Sequence, residues 1–409
     1  MANKISQDLP DCNHRFRPYM IYVWLIFSFS LLPILIAILH STYIHSALVK
    51  VFPQIEKVDI WYSSKVEKVE EMRVLSPYPT KWDGNWYNVN ENYVNFEKWF
   101  NDNLGLRDFF IRAKNELDFR LFRSSSRVYY GKDNYIYGRN LIDNELPATE
   151  RVMSSAEEIK KIINGMKLLS DNLKDKGITT YFITPMQKEY FIDNKLPFFA
   201  PKMLKNSQFM QFYRDVLNDP DLKVIDVYHI IKSIPKEYRS FYTQDFHWNH
   251  LSAFMVSQSV VDKIAVQEQS ATRWNYKFEV VRKPFLGSDA RFSSRLIAQE
   301  HVDEPTIRKT WVDKHTVHLL NANNTGLEFE TGIINDEKLL PKTCMYGNSF
   351  SDSMLDIGII NFFSKFTKLN RTLPVSKIPE LIDGRCKYLI IQILDIQSNT
   401  WSLFKKPQG

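Results

Sequence analysis

Glycine and cysteine are scarce in this chain, at 13 and 3 of 409 residues, and proline stands at 18. That composition excludes collagen-like and low-complexity classes, and no repeat of fixed period is present. Three cysteines are too few for a disulfide scaffold. A bond between Cys344 and Cys386 is open, but both flank apolar segments, where a free buried thiol is the commoner outcome. Blocks of like charge are also missing. The formal net charge of +6 is spread along the sequence, and no RNP or Cys/His finger accompanies it, which argues against nucleic acid as a partner. A mildly basic surface would suit an anionic polysaccharide or lipid headgroups. Disorder is excluded for most of the chain, because 44% of it is hydrophobic and 28 Phe, 20 Tyr and 9 Trp can fill one large core or two modest ones.

Only one long apolar run exists. Met20 to Leu39 reads MIYVWLIFSFSLLPILIAIL, 20 uncharged residues. At 1.5 Å per residue a helix of this length spans the roughly 30 Å hydrocarbon layer. Pro33 is tolerated in a membrane helix, and Tyr22 and Trp24 suit the interface. Arg15 and Arg17 precede the run, so the positive-inside rule predicts a cytoplasmic N-terminus and an outward-facing remainder. No Ala-x-Ala-like site follows, which favours an uncleaved signal anchor. The expected organisation is a cytoplasmic segment (1–19), a transmembrane anchor (20–40), a stalk or lead-in (41–94) and a globular domain (95–409). Within the domain, about 270–340 form a β-containing insertion.

The domain reads as α/β. Phe96, Trp99 and Phe100, then Phe109, Phe110, Ala113 and Leu117, fall at helical spacing around a break at Gly105. Arg127 to Gly138 (RVYYGKDNYIYG) predicts a hairpin turning at Asp133-Asn134. A charged amphipathic helix from Ser155 to Lys174 leads into the strand GITTYFITP (Gly177 to Pro185), and a second such unit is DLKVIDVYHII (Asp221 to Ile231). A helix follows His247 and carries Leu251 to Ala265. After the insertion, with strand-like runs such as YKFEVV and HTVHLLN, come the strand and tight turn KTCMYGNS, a helix over about 353–369, and the strand KYLIIQIL (Lys387 to Leu394). Strands alternating with helices predict a mostly parallel sheet covered on both faces.

Side chains at the carboxyl ends of such strands line the crevice where ligands bind. Ser349 is one of them: in Tyr346-Gly347-Asn348-Ser349-Phe350-Ser351-Asp352, Gly347 permits a sharp turn that lifts the hydroxyl. The following helix could aim free N–H groups, around Gly347 and Asn348, at a developing oxyanion. A serine between strand and helix is more often a mere N-cap, so it needs a partner. Gln244-Asp245-Phe246-His247-Trp248-Asn249-His250 supplies the candidate: Asp245 can fix the His247 tautomer while the other ring nitrogen takes the serine proton. A capping cluster fits Asp245 and His247 about equally well on residue types alone. Asp245, His247 and His250 could also ligate a metal, although no second cluster completes such a site. His250 reads as structural. Lys188 is a candidate for binding substrate and equally for a structural ion pair. No cofactor motif is present.

D-x-H-W-N upstream of G-x-S-x-S resembles the AlgX and AlgJ type of SGNH hydrolase-like acetyltransferase, in which the triad runs Asp, His, Ser along the chain. The resemblance extends to Asn101–Asp108 (NDNLGLRD), to Gly131–Tyr137 (GKDNYIY, like the family's G-K-D-G-W-L-F hairpin), and to Thr184–Lys188 followed by Lys195-Leu196-Pro197. Leu286–Arg291 resembles the family's G-D-L element with Ser288 inserted. Together these span roughly residues 95–395. Asn134 and Tyr135 depart from the usual Gly-Trp, and Asn348 occupies a variable position. The resemblance implies an SGNH-like fold and transfer of acetyl groups to an exported polysaccharide through an acetyl-Ser349 intermediate, with His247 as base and Asp245 as its orienter. It also implies a site at the outer face of the inner membrane, an acetyl donor delivered through a membrane-bound O-acyltransferase, and polysaccharide-export partners. A carbohydrate esterase, or a polysaccharide-binding subunit without activity, would share the fold.

Overall fold

Side chains that alternate along three central strands sort into two separate cores. In this computed structural model the described residues are 90–103, 107–202, 206–274, 277–297, 301–313, 316–323, 326–332 and 338–405, with shorter stretches before residue 79. Most of the apolar run at 20–39, the expected anchor, lies outside the described residues. Among those described, no helix is long and apolar enough to cross a membrane.

The chain divides into two units, Met1–Phe122 with Ser294–Ala298, and Arg123–Ser293 with Gln299–Gly409. The first holds the helices Asn90–Asn103 and Arg107–Phe122. Glu116 on the second helix pairs with Arg120 and Arg295, and the Asn115 amide donates to the Ser294 carbonyl.

The second unit opens with the hairpin β1 (Val128–Tyr130) and β2 (Ile136–Gly138), and its turn residues Asp133 and Asn134 both take positive φ. The main sheet is built from β3 (Thr179–Ile183) and β4 (Val224–Ile225). It continues, after the separate ribbon of β5 (Phe278–Phe285) and β6 (Val302–Lys309), with β7 (Val317–Asn323), β8 (Gly326–Thr331), β9 (Thr343–Tyr346), β10 (Phe366–Lys368) and β11 (Tyr388–Gln392). Its order is β4-β3-β11-β9-β10-β8-β7. The first five strands are parallel, and β8 and β7 join antiparallel, so the sheet is mixed. Half of the expected insertion therefore extends the main sheet, because β8 finds the open edge of β10.

Successive residues of a strand point to opposite faces. Tyr181, Ile183, Met345, Tyr388 and Ile390 pack with the helix His250–Gln267, whereas Phe182, Cys344, Tyr346, Leu389 and Ile391 pack with the helices Ala156–Asp175 and Gln208–Asn218. Both faces are covered.

Three local expectations change. Asp221 to Ile231 yields only a two-residue strand, because Asp226 caps a helix over Val227–Lys232 by accepting from the His229 N–H. The helix after Ser349 runs Ser349–Asp356, not 353–369: Gly358 at φ 97° ends it, and β10 begins ten residues after the helix. Cys344 and Cys386 form a disulfide. The free-thiol reading failed because β9 and β11 are sheet neighbours, with Cys344 opposite Leu389. Closing a loop between positions 42 apart is worth about 4 kcal/mol in a chain-entropy account.

Gly165 sits inside the helix Ala156–Asp175, where a Cβ would lie 2.0 Å from the Phe404 carbonyl oxygen. Helix propensity alone favours alanine there by about 1 kcal/mol. Main-chain overlap should win: Gly165→Ala is expected to lose about 1–3 kcal/mol in chemical denaturation, and a gain in stability would mean that Phe404 does not pack on this helix.

Candidate active site

Two loops meet above the carboxyl ends of the parallel strands. The first follows β9. A Cβ at position 347 would lie 2.4 Å from the Gln392 Oε1, so only glycine lets the chain turn there. Asn348 is extended and caps the next helix, its side chain accepting from the Phe350 N–H at 3.0 Å and donating to Gln397 Oε1 at 3.0 Å. Its own N–H donates to Gln392 Oε1 at 3.1 Å, and the Ser351 N–H donates to the Asn348 carbonyl. Ser349 opens the helix and is half-buried.

The second loop is tied at its base by a bridge between Phe241 and Trp248. Asn249 caps the helix His250–Gln267 by accepting from the Ser252 N–H at 3.1 Å. Trp248 is fully buried, and its indole N–H reaches the Phe350 carbonyl at 3.1 Å and Ser353 Oγ at 3.0 Å, pinning this loop to the serine helix. The rings of Phe246 and Phe350 lie 3.9 and 4.9 Å from the His247 ring.

Ser349, His247 and Asp245 come together. His247 Nε2 lies 2.7 Å from Ser349 Oγ, and His247 Nδ1 lies 2.6 Å from Asp245 Oδ1. With its proton on Nδ1 donated to Asp245, the ring offers Nε2 to the serine hydroxyl. Asp245 Oδ1 also accepts the His247 backbone N–H at 3.0 Å, and Oδ2 accepts the Ser288 N–H at 2.8 Å. Burial works against ionising Asp245, but these bonds and the adjacent imidazole outweigh it and hold the carboxyl well below the usual carboxylate range.

The other site candidates fall into supporting positions. Lys188, a substrate-binding candidate by sequence, is fully buried: its Nζ donates to the Asp245 carbonyl at 2.8 Å and to the Ile136 carbonyl, and it sits 4.7 Å above the Tyr137 ring. Asp289 faces it at 3.5 Å. Gly347 and Asn348 shape the turn as described. His250 bonds Thr306 Oγ1 at 2.7 Å rather than joining the triad residues. Among the described residues no group of three or more His, Cys, Asp or Glu is arranged to hold a metal.

Sequence reasoning missed two residues. Lys368, at the end of β10, is buried and donates to the Gly347 carbonyl; burial pulls its ammonium down to about 8. Gln392 ends β11 and receives the Asn348 N–H. Its signal was available, as the lone polar residue inside the apolar run YLIIQIL.

A sequence model of the SGNH hydrolase-like domain of the acetyltransferase AlgX matches residues 130–358, more than half of the chain. The protein belongs to that family of SGNH hydrolase-like acetyltransferases. Similar solved structures include Bacillus cereus PatB1, at 16% identity over 60% of this chain and 91% of that one, with a TM-score of 0.44. The O-acetyltransferase domain of Pseudomonas putida AlgJ is similar at 13% identity, 66% and 92% coverage, and a TM-score of 0.44. Pseudomonas aeruginosa AlgX is similar at 13% identity, 68% and 66% coverage, and a TM-score of 0.40. No curated protein matches the chain.

Asp289 gives a pH test of this network. Burial, only partly offset by Lys188 and reinforced by Asp245, pushes its carboxyl up to about 7. The unfolded chain ionises Asp289 near pH 4 while the folded one keeps the proton to about 7, so the wild type loses stability as pH rises between these values. Asp289→Asn should gain relative to wild type across that window, by roughly 4 kcal/mol at most, with the two converging below pH 4. Parallel stability curves in urea titrations from pH 4 to 8 would contradict the assignment.

Proposed function

We propose that the protein is an O-acetyltransferase that moves acetyl groups onto hydroxyls of an exported polysaccharide, with Ser349 as nucleophile, His247 as general base and acid, and Asp245 as the group that orients and stabilises the imidazolium. The observation that carries this reading is the bridging of Ser349 Oγ and Asp245 Oδ1 by one imidazole, at 2.7 and 2.6 Å, within the segment that matches an acetyltransferase family.

In the first half-reaction Ser349 Oγ attacks the acetyl carbonyl of the donor while its proton passes to His247 Nε2. The tetrahedral intermediate carries its charge on the former carbonyl oxygen. The Asn348, Phe350 and Ser351 N–H groups are engaged within the turn, so the Ser349 N–H, at the helix start, is the donor best placed to meet that oxygen. Collapse expels the donor's leaving group, which takes the proton from His247 and leaves acetyl-Ser349. A sugar hydroxyl then attacks the acetyl-serine, His247 accepts its proton and returns it to Ser349 Oγ, and the sugar acetate departs.

The apolar run at 20–39 supports a membrane anchor with the catalytic unit outside the cytoplasm, and the Cys344–Cys386 bond suits an oxidising compartment. On this reading the acetyl donor arrives through a membrane-bound O-acyltransferase, and polysaccharide-export proteins are partners.

The test is acetyl-ester turnover by the purified full chain, with and without an oligosaccharide acceptor. Ser349→Ala and His247→Ala should each reduce turnover by roughly a thousandfold or more. Acetylated acceptor among the products identifies a transferase, and free acetate alone would make the protein an esterase. Unchanged turnover in both variants would remove the catalytic reading altogether.

A further inference from the structure

Consecutive main-chain N–H groups run through the turn that carries Ser349, and most of them are bonded inside it. Asn348 donates to Gln392 Oε1 at 3.1 Å, Phe350 to Asn348 Oδ1 at 3.0 Å, and Ser351 to the Asn348 carbonyl at 2.9 Å. The peptide before Asn348 is fixed at its other end as well, because the Gly347 carbonyl accepts from the buried Lys368. That leaves the Ser349 N–H for a ligand, as a first-turn donor with no acceptor inside its own helix.

What aims that N–H is the carbonyl of the same peptide. Ser351 is fully buried, and its hydroxyl and its N–H both donate to the Asn348 carbonyl oxygen. A trans peptide is planar and points its C=O and N–H in opposite directions, so fixing the Asn348 carbonyl toward Ser351 fixes the Ser349 N–H to point the other way. Two bonds on the carbonyl also polarise the peptide, which makes its N–H a stronger donor. Room for the hydroxyl comes from Gly347, where a Cβ would lie 2.9 Å from Ser351 Oγ. A buried serine in a helix often does no more than bond a carbonyl of the preceding turn, but the carbonyl met here belongs to the peptide whose N–H the turn leaves unused.

We propose that Ser351 is a positioning residue for acyl transfer: its hydroxyl locks the peptide between Asn348 and Ser349 so that the Ser349 N–H meets the oxygen of the tetrahedral intermediate. The proposal rests on the acyl-transfer reading above. Ser351 acts through that N–H alone. Charge on the oxygen develops only as the intermediate forms, so the effect belongs in kcat rather than in KM.

The experiment is steady-state turnover of 4-nitrophenyl acetate by the full chain, as wild type, Ser351→Ala, Ser351→Thr and Ser349→Ala. Ser351→Ala should lower kcat by about tenfold to a hundredfold, less than outright removal of an oxyanion donor, with KM within about twofold of wild type. Affinity for methylboronic acid, which forms a tetrahedral adduct on the serine oxygen, should fall by the same factor as kcat/KM. The acid limb of the pH–rate profile should not move, because Asp245 and His247 keep their contacts. Ser351→Thr keeps the hydroxyl and should recover to within about threefold of wild type. Unchanged kcat in Ser351→Ala overturns the proposal, and so does unchanged boronate affinity, which decides the matter where Ser351→Thr is too crowded to recover. A wild type without turnover removes the acyl-transfer reading and this proposal with it, whereas turnover abolished by Ser349→Ala and untouched by Ser351→Ala removes this proposal alone.

Discussion

Two buried ammonium groups hold the loops of the candidate site, each through a main-chain carbonyl next to a triad residue. Lys188 grips the carbonyl of Asp245 and Lys368 grips the carbonyl of Gly347. A cation taken out of water costs several kcal/mol unless it is paired or well hydrogen-bonded, so each lysine is confined to a geometry that supplies acceptors. The constraint is reciprocal. The Asp245 and Gly347 carbonyls satisfy the lysines, and the lysines add a second tie to two loops that run between regular elements. Lys188 extends this to the hairpin β1–β2 through the Ile136 carbonyl, which explains why a ribbon outside the main sheet belongs to the architecture of the site.

The sheet converts these local clamps into one site. β9 delivers Gly347 to Ser349 at its carboxyl end, and β11, its neighbour, delivers Gln392 beneath the turn. The loop carrying Asp245 and His247 comes from 102 positions upstream and has no strand of the main sheet to guide it. Its register against the serine helix depends on Trp248, whose single indole N–H meets both Phe350 and Ser353. Packing of that ring against Phe350 adds dispersion contact but not direction, and the hydrogen bonds provide the direction.

Much of this was legible in the sequence, for reasons that differ by element. The helices at 156–175 and 250–267 announced themselves by periodicity, and the structure adds the caps Ser155 and Asn249. The hairpin announced itself by a turn that only residues tolerant of positive φ could make. Asp245, His247 and Ser349 were legible because their chemistry requires those residue types and the motifs around them resemble a family. What was not legible depended on long-range pairing. Nothing local says that β8 will find the edge of β10, or that Cys386, just before β11, comes beside Cys344 on the neighbouring β9. The stretch from Val224 to Lys232 has the β-branched content of a strand, yet a single aspartate cap turned most of it into helix. Lysines have no sequence signature that separates a surface cation from one buried under a loop of the candidate site.

The same lack of signature applies to the acids, where environment alone separates Asp245 from Asp289. Both are almost fully buried and both lie near Lys188. Asp245 accepts three N–H groups, two from His247 and one from Ser288, and stays ionised despite its burial. Asp289 has only a long contact to the lysine, and the negative charge of Asp245 opposes its own ionisation. Asp395 accepts two N–H groups under complete burial, and its carboxyl is still raised. Neutral main-chain donors alone therefore fail to offset burial, whereas a set that includes an imidazole succeeds. The unit thus keeps one carboxylate charged next to its histidine and holds nearby acids toward neutrality. That separation lets a single negative charge set the imidazole's tautomer and stabilise its protonated form, without a competing anion to draw the proton elsewhere.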